Sequence, residues 1–254
     1  MNKLPQITLA FWVMKICATT LGETAGDLLS MTLDVGYAVS SLILIGLFLV
    51  ALSGQLMSRR YLPALYWTVI LATSTAGTTM SDFMDRTLGL GYASGSAILV
   101  TLLLCVLGLW RLSEKSLAVD NIVSRRGELF YWGAILVSNT LGTALGDYLA
   151  DDSGLGFAGG ALLIGSLIAV VALAKQFTRI SSVALFWIAF VLTRPFGATL
   201  GDVLTKTHEK GGLDFGTVGS SAILAGVLVV LVFFAMRAER REQPDNRLQG
   251  ADLA

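Results

Sequence analysis

The chain has 254 residues, of which 54% are hydrophobic and only 14% charged, against roughly 25% charged in an ordinary soluble domain. That leaves too little polar surface to cover a water-soluble globule, and 18 basic against 18 acidic residues leave no excess for a polyanion. A soluble enzyme, a disordered chain and a nucleic-acid binder are excluded, and a polytopic membrane protein remains.

The first apolar run follows MNKLPQITLAFW and has no small-residue cleavage pattern after it, so it reads as a retained helix rather than a signal peptide. It opens on Phe11-Trp12 and closes on TTLGETAGD (19–27), and this succession recurs three times. Phe11-Trp12 returns as Tyr66-Trp67, Tyr131-Trp132 and Phe186-Trp187. Gly22 returns as Gly77, Gly142 and Gly197, and Asp27 as Asp82, Asp147 and Asp202, all in the same register. The later motif segments are STAGTTMSD (74–82), NTLGTALGD (139–147) and RPFGATLGD (194–202). Each is followed by a short turn with a Gly-aromatic pair (Gly36-Tyr37, Gly91-Tyr92, Gly156-Phe157), and then by a plainer apolar run. The fourth copy carries Asp214-Phe215-Gly216 there, displaced by a five-residue insertion around His208.

Runs of about 20 apolar residues span a bilayer as helices. The expected fold is therefore all-α, with eight transmembrane helices near 7–30, 36–57, 62–85, 91–112, 128–150, 155–176, 182–205 and 215–237. These form four parallel two-helix repeats, related by an axis along the membrane normal. The wider middle spacing divides them into 1–112 and 128–237, joined by a cytoplasmic linker at 113–127 and followed by a polar, disordered tail at 238–254. With the N-terminus placed in the cytoplasm, thirteen of the 18 bases fall in inner segments, and only Arg86, Lys206 and Lys210 in outer turns. That is the positive-inside pattern, with both termini cytoplasmic and the aromatic-Trp pairs as an inner-face belt. The four repeats complete a bundle within one chain, so no obligate oligomer is needed.

Ionisable residues inside spans are costly and are functional candidates by default. Glu23 and Asp27 are four apart on one helix face, with Thr20 on nearly the same face. At helical rise Asp27 lies about 22 Å from Trp12, so Asp27, Asp82, Asp147 and Asp202 share one depth near the outer surface. If the odd helices face the axis, these aspartates form an acidic ring of the kind that selects cations. Thr20, Thr75, Thr78, Thr140 and Thr143 then line the approach. Such oxygen ligands suit a hard divalent ion such as manganese, with Glu23 and Asp27 as its first ligands. The competing reading is structural, with the aspartates solvated or capping the next helix.

Departures from the repeat single out three charges. Glu23 stands where the other copies have Thr78, Thr143 and Ala198. Arg194 replaces Thr19, Ser74 and Asn139, and Lys15 replaces Ile70, Ile135 and Phe190. Arg194 is too deep to reach water, and it is the expected gate or ion-pair partner of Glu23. Lys15 is expected to snorkel to the inner interface, about 5 Å away at helical rise. Pro195 is expected to kink the seventh helix. Lys206, His208, Glu209 and Lys210 read as a solvated insertion. Cys17 and Cys105 read as small core residues, and the single histidine excludes bis-histidine haem, so no cofactor is expected.

The TTxGETxGD segment, Thr19 to Asp27, with its degenerate copies and aromatic-Trp openings, resembles a family of bacterial proteins described as uncharacterised membrane-anchored proteins. The likeness covers roughly 7–237 and implies a multi-pass protein of the bacterial inner membrane. Two functions stay open: a transporter or channel for a small cation, or a non-transporting sensor or assembly protein. An enzyme is not expected, because no nucleophile-base set or cofactor fingerprint is present. The lipid bilayer and a small cation are the expected partners, and nucleic acid is not.

Overall fold

A computed structural model describes residues 4–119, 122 and 124–251, with backbone only for 242–251. Asp120, Asn121 and Val123 of the expected linker, and residues 252–254 of the expected tail, lie outside the described residues. Among the described residues the chain is all-helical, with eight α-helices and no strand. They are α1 (Leu9–Asp27), α2 (Tyr37–Met57), α3 (Pro63–Asp82), α4 (Tyr92–Glu114), α5 (Arg125–Asp147), α6 (Gly156–Phe177), α7 (Ser182–Thr205) and α8 (Gly216–Ala251). Five of them are long and apolar enough to cross a membrane: α2, α4, α6, α7 and the Gly216–Arg241 part of α8. α8 overruns the span expected at 215–237, so the tail expected to be disordered is helical over residues 238–251. The stretch AMRAERRE (235–242) is rich in strong helix formers.

Local chemistry sets the helix ends. Thr8 caps α1 by accepting from the Phe11 amide, Pro63 sits in the first turn of α3, and Ser124 caps α5 by accepting from the Gly127 amide. α1, α3 and α5 end on their motif aspartates. Each runs directly into a five-residue π-helical turn: Leu28–Thr32, Phe83–Thr87 and Tyr148–Asp152. In the fourth copy the insertion replaces that turn, and a short 3₁₀ turn at His208–Lys210 takes its place. The glycine entering each even helix has φ between +68° and +79° (Gly36, Gly91, Gly156 and Gly216), a conformation in which a Cβ is strained. The shared backbone shows that Gly216 is the fourth equivalent despite the insertion.

The odd helices form a closed inner ring, α1 on α3, α3 on α5, α5 on α7 and α7 on α1. Each even helix packs outside the odd helix of the following repeat: α2 on α3, α4 on α5, α6 on α7, and α8 on α1, which closes the circle. The even helices carry the exposed leucines and valines, such as Leu42, Val50, Leu104, Leu162 and Val229. The odd helices hold most of the buried residues.

Close packing of the inner ring rests on small residues. A Cβ added at Gly22 would overlap Ser74, one at Gly77 the backbone of Asn139 and Thr140, one at Gly142 Arg194, and one at Gly197 Thr19. The motif glycine of each repeat thus receives the same position of the next repeat, around the whole ring.

Aromatic residues close one end in the same cyclic sense. Phe11 packs on Trp67, Tyr66 on Trp132, Tyr131 on Trp187 and Phe186 on Trp12, with ring centroids 5.5–6.4 Å apart. The Tyr66 and Tyr131 hydroxyls are 2.7 Å apart. Trp67, Trp132 and Trp187 are buried. The pairs expected as an inner-face belt interlock as a floor across the ring.

Candidate functional site: a charged column on the ring axis

Ionisable side chains stack along the inner ring from the aspartate end toward the aromatic floor. Asp27, Asp82, Asp147 and Asp202 are all buried, none more than 4% exposed. Their burial rules out solvation, and Asp27, Asp82 and Asp147 do not cap the helices that follow them, since α2, α4 and α6 have no side-chain cap. Two cations bridge them in pairs. Arg86 Nε lies 3.0 Å from Asp82 Oδ1 and Arg86 Nη2 lies 3.1 Å from Asp147 Oδ2. Lys206 Nζ lies 3.0 Å from both Asp202 Oδ1 and Asp27 Oδ2. Each base therefore serves the aspartate four residues before it and the aspartate of the following repeat. Lys206, expected in a solvated insertion, is instead drawn over the ring by two carboxylates. Burial opposes its charge, but Asp202 and Asp27 outweigh that and raise its pKa. Arg86 behaves alike: burial lowers its pKa, and Asp82 and Asp147 more than reverse that.

Deeper in, the expected ion pair is present. Arg194 Nη2 lies 2.9 Å from Glu23 Oε2, with both side chains buried. The same nitrogen lies 2.6 Å from Thr78 Oγ1, 2.7 Å from Thr143 Oγ1 and 3.4 Å from the Ser74 carbonyl oxygen. Thr78 and Thr143 occupy the Glu23 position in repeats 2 and 3. Arg194 thus reaches across the ring to the equivalent side chains of the other three repeats. Its Nε and Nη1 are buried and find no hydrogen-bond partner among the described residues. One carboxylate oxygen from each of Glu23, Asp147 and Asp202 lies within 4.8 Å of the others, but all three acids already face cations: Arg194, Arg86 and Lys206 respectively.

Lys15 does not snorkel. It is fully buried, donates to Asn139 Oδ1 at 3.4 Å and sits 4.1 Å from the centre of the Phe190 ring. Asn139 in turn donates to Thr73 Oγ1 at 2.9 Å. The aromatic floor, one turn beyond, blocks the route that snorkelling would take. The other expected lining threonines also stay out of the column. Thr20 donates to the Ile16 carbonyl, Thr75 to Leu71 and Ala72, and Thr140 to Leu136. A threonine hydroxyl in a helix is readily captured by a carbonyl one turn back. Of the five threonines expected there, Thr78 and Thr143 join the site. Pro195 lies within α7, which is continuous from Ser182 to Thr205.

Two participants escaped the sequence reading, Arg86 and Lys206. Their signal was present: repeats 2 and 4 place a base four residues after the motif aspartate, where repeats 1 and 3 have Met31 and Asp151.

The same periodicity appears in comparison with known families. The repeat family described as "Repeat of Unknown Function (DUF347)" matches the chain four times, at residues 10–61, 65–116, 130–181 and 185–241. The chain belongs to this family. Each match covers one inner helix and the even helix that follows it. No curated protein and no solved structure matches the chain.

Proposed function

We propose that this DUF347 protein is a multi-pass membrane protein that moves a small cation along the axis of its inner ring, in the bacterial inner membrane with both termini cytoplasmic. All eight helices cross the bilayer in this reading. α1, α3 and α5 are less apolar because even helices and one another, rather than lipid, surround them. The observation that carries the reading is the buried column itself. Glu23, Asp27, Asp82, Asp147 and Asp202 face Arg86, Arg194 and Lys206 inside a ring of four helices, and Lys15 lies buried in the same ring with no carboxylate among the described residues beside it. Five carboxylates against four bases leave one negative charge for a cation to neutralise. Buried charge in a membrane-spanning bundle marks ion pathways more often than scaffolding, because a scaffold gains nothing from its cost. Arg194 on Glu23 and the aromatic floor are the two closures of an occluded state.

The closed floor also fits a non-transporting sensor or assembly protein, and one experiment separates the two. Cells expressing wild type, Glu23→Gln and Asp27→Asn at matched protein levels are compared for total Mn, Mg, Zn, Fe, Ca, Co, K and Na by elemental mass spectrometry, and for total ammonium. Transport predicts a change in one species that Glu23→Gln abolishes. No change in any species sinks the transport reading in favour of the sensor or assembly role.

A further inference from the structure

Arg194 Nη2 carries two hydrogens, yet four oxygens surround it: Thr78 Oγ1 at 2.6 Å, Thr143 Oγ1 at 2.7 Å, Glu23 Oε2 at 2.9 Å and the Ser74 carbonyl at 3.4 Å. The other two guanidinium nitrogens have no partner among the described residues. A side chain placed only to form an ion pair would spread its five donors across its acceptors. Here every acceptor converges on one nitrogen, and the rest of the group sits buried without compensation, a costly arrangement. The oxygens come from three different repeats, and three of them (Glu23, Thr78 and Thr143) from one equivalent position. The ring symmetry therefore builds the cage, and Arg194 fills it.

We infer that the Glu23, Thr78, Thr143 and Ser74-carbonyl cage is the binding site for a small monovalent cation of the potassium or ammonium kind, and that Arg194 is a tethered occupant which this cation displaces. The inference deepens the transport reading and rests on it for its direction. Charge supports a monovalent ion, since one carboxylate and three neutral oxygens balance a single positive charge. The three nearest distances to the guanidinium nitrogen, 2.6–2.9 Å, are those of N–H···O bonds, which an ammonium ion would reproduce. A divalent ion would be only half neutralised by the single carboxylate, so the hard divalent ion expected from the sequence is the weaker candidate for this layer. Asp147 and Asp202, each with an oxygen within 4.8 Å of one on Glu23, would receive the displaced guanidinium alongside the Arg86 and Lys206 they already hold.

The test is thermal unfolding of the purified protein in detergent, in potassium, ammonium, choline, magnesium or manganese chloride at equal ionic strength. Wild type gains less from potassium over choline than the variants do, because there the ion must first displace Arg194. Arg194→Ala and Arg194→Met, which vacate the cage, melt about 5 °C higher in potassium or ammonium than in choline, because an ion that binds only the folded state stabilises it by mass action. Comparing potassium with ammonium separates a metal ion from an N–H donor. Adding Glu23→Gln to either variant abolishes the response. Equal melting in choline and potassium, a response to magnesium or manganese alone, or failure to recover either variant folded in any salt overturns the inference. Salt-specific melting of the variants in a protein that moves no ion retains the cage and removes transport. Ion movement by wild type without salt-specific melting does the reverse.

Discussion

At the aspartate end of the inner ring, repeats 2 and 4 each supply an aspartate with a base four residues later, and repeats 1 and 3 each supply an aspartate alone. The bridges from Arg86 to Asp147 and from Lys206 to Asp27 follow the same rule. One layer deeper no such rule holds. Glu23 meets Thr78 and Thr143, the fourth equivalent is Ala198, and Arg194 alone fills the middle. A layer that repeats is explained by the assembly of the ring. A layer that breaks the repeat needs a separate reason, because each unmatched buried charge carries its own desolvation cost. In the transport reading proposed above, specific function belongs to the deep layer rather than to the aspartate ring.

The sharpest way to break this comparison is to remove one member of the deep pair. Glu23→Gln leaves Arg194 buried without its carboxylate and should cost about 3–5 kcal/mol, whereas a Glu23→Met/Arg194→Met double variant should recover most of that. Chemical denaturation in mixed micelles measures both. If Glu23→Gln costs no more than Asp82→Asn, the two layers are energetically alike and the distinction fails.

A second test separates ring packing from periphery by adding one methyl group. On Gly77 the new Cβ would lie 2.9 Å from backbone atoms of Asn139 and Thr140, which have little freedom to move. Gly77→Ala should cost about 2 kcal/mol through overpacking. Gly46 on α2 has nothing within 4 Å of a new Cβ, so Gly46→Ala should be neutral or stabilising by up to about 1 kcal/mol through helix propensity. Equal effects at the two sites would show that the ring is not held by close backbone approach.

Much of this was legible in the sequence, for an identifiable reason. A marker that recurs four times in register constrains the fold far more than any single segment does. The aromatic-Trp pair, the glycine and the aspartate sit at fixed places in every copy, and all three prove to be ring contacts. The Arg194–Glu23 pair was legible as well, since two opposite charges each break the repeat once. Direction of facing was less legible. Thr20 lies seven residues from Asp27, nearly in line on a helical wheel, but its hydroxyl is bound to its own helix. The wheel says which way a side chain leaves the helix, and not which acceptor it meets first. Lys15 was misread because, near a membrane boundary, residues closing a protein interior have the same composition as residues facing headgroups. Only the cyclic packing of Phe11 on Trp67 through Phe186 on Trp12 separates the two.

The aspartate layer offers the third test. Arg86 is 31% exposed at its side chain, so water and salt reach its bridges. Arg86→Met should cost about 1–2 kcal/mol, between an exposed and a fully buried pair. The loss should shrink as salt is raised, because screening already weakens the wild-type bridges. The cost of Glu23→Gln, in a layer that water does not reach, should be nearly independent of salt. The same salt dependence in both variants would place the two layers in one electrostatic environment.

Lys15 gives the smallest and most discriminating effect. Its ammonium has one long hydrogen bond to Asn139 and the face of Phe190, and no carboxylate within ion-pair distance among the described residues. A charge so poorly compensated does not serve stability. Lys15→Met keeps most of the volume and removes the charge, so the folded state should be unchanged or more stable by about 1 kcal/mol, after allowing for the lost cation–π contact. Transport, measured as the ion movement that Glu23→Gln abolishes, should fall all the same if the column acts as a unit. Stability retained with activity lost would assign Lys15 to function. A loss of stability matching that of Glu23→Gln would instead make Lys15 a structural partner of the deep layer, and would extend the symmetry-breaking core one turn further toward the aromatic floor.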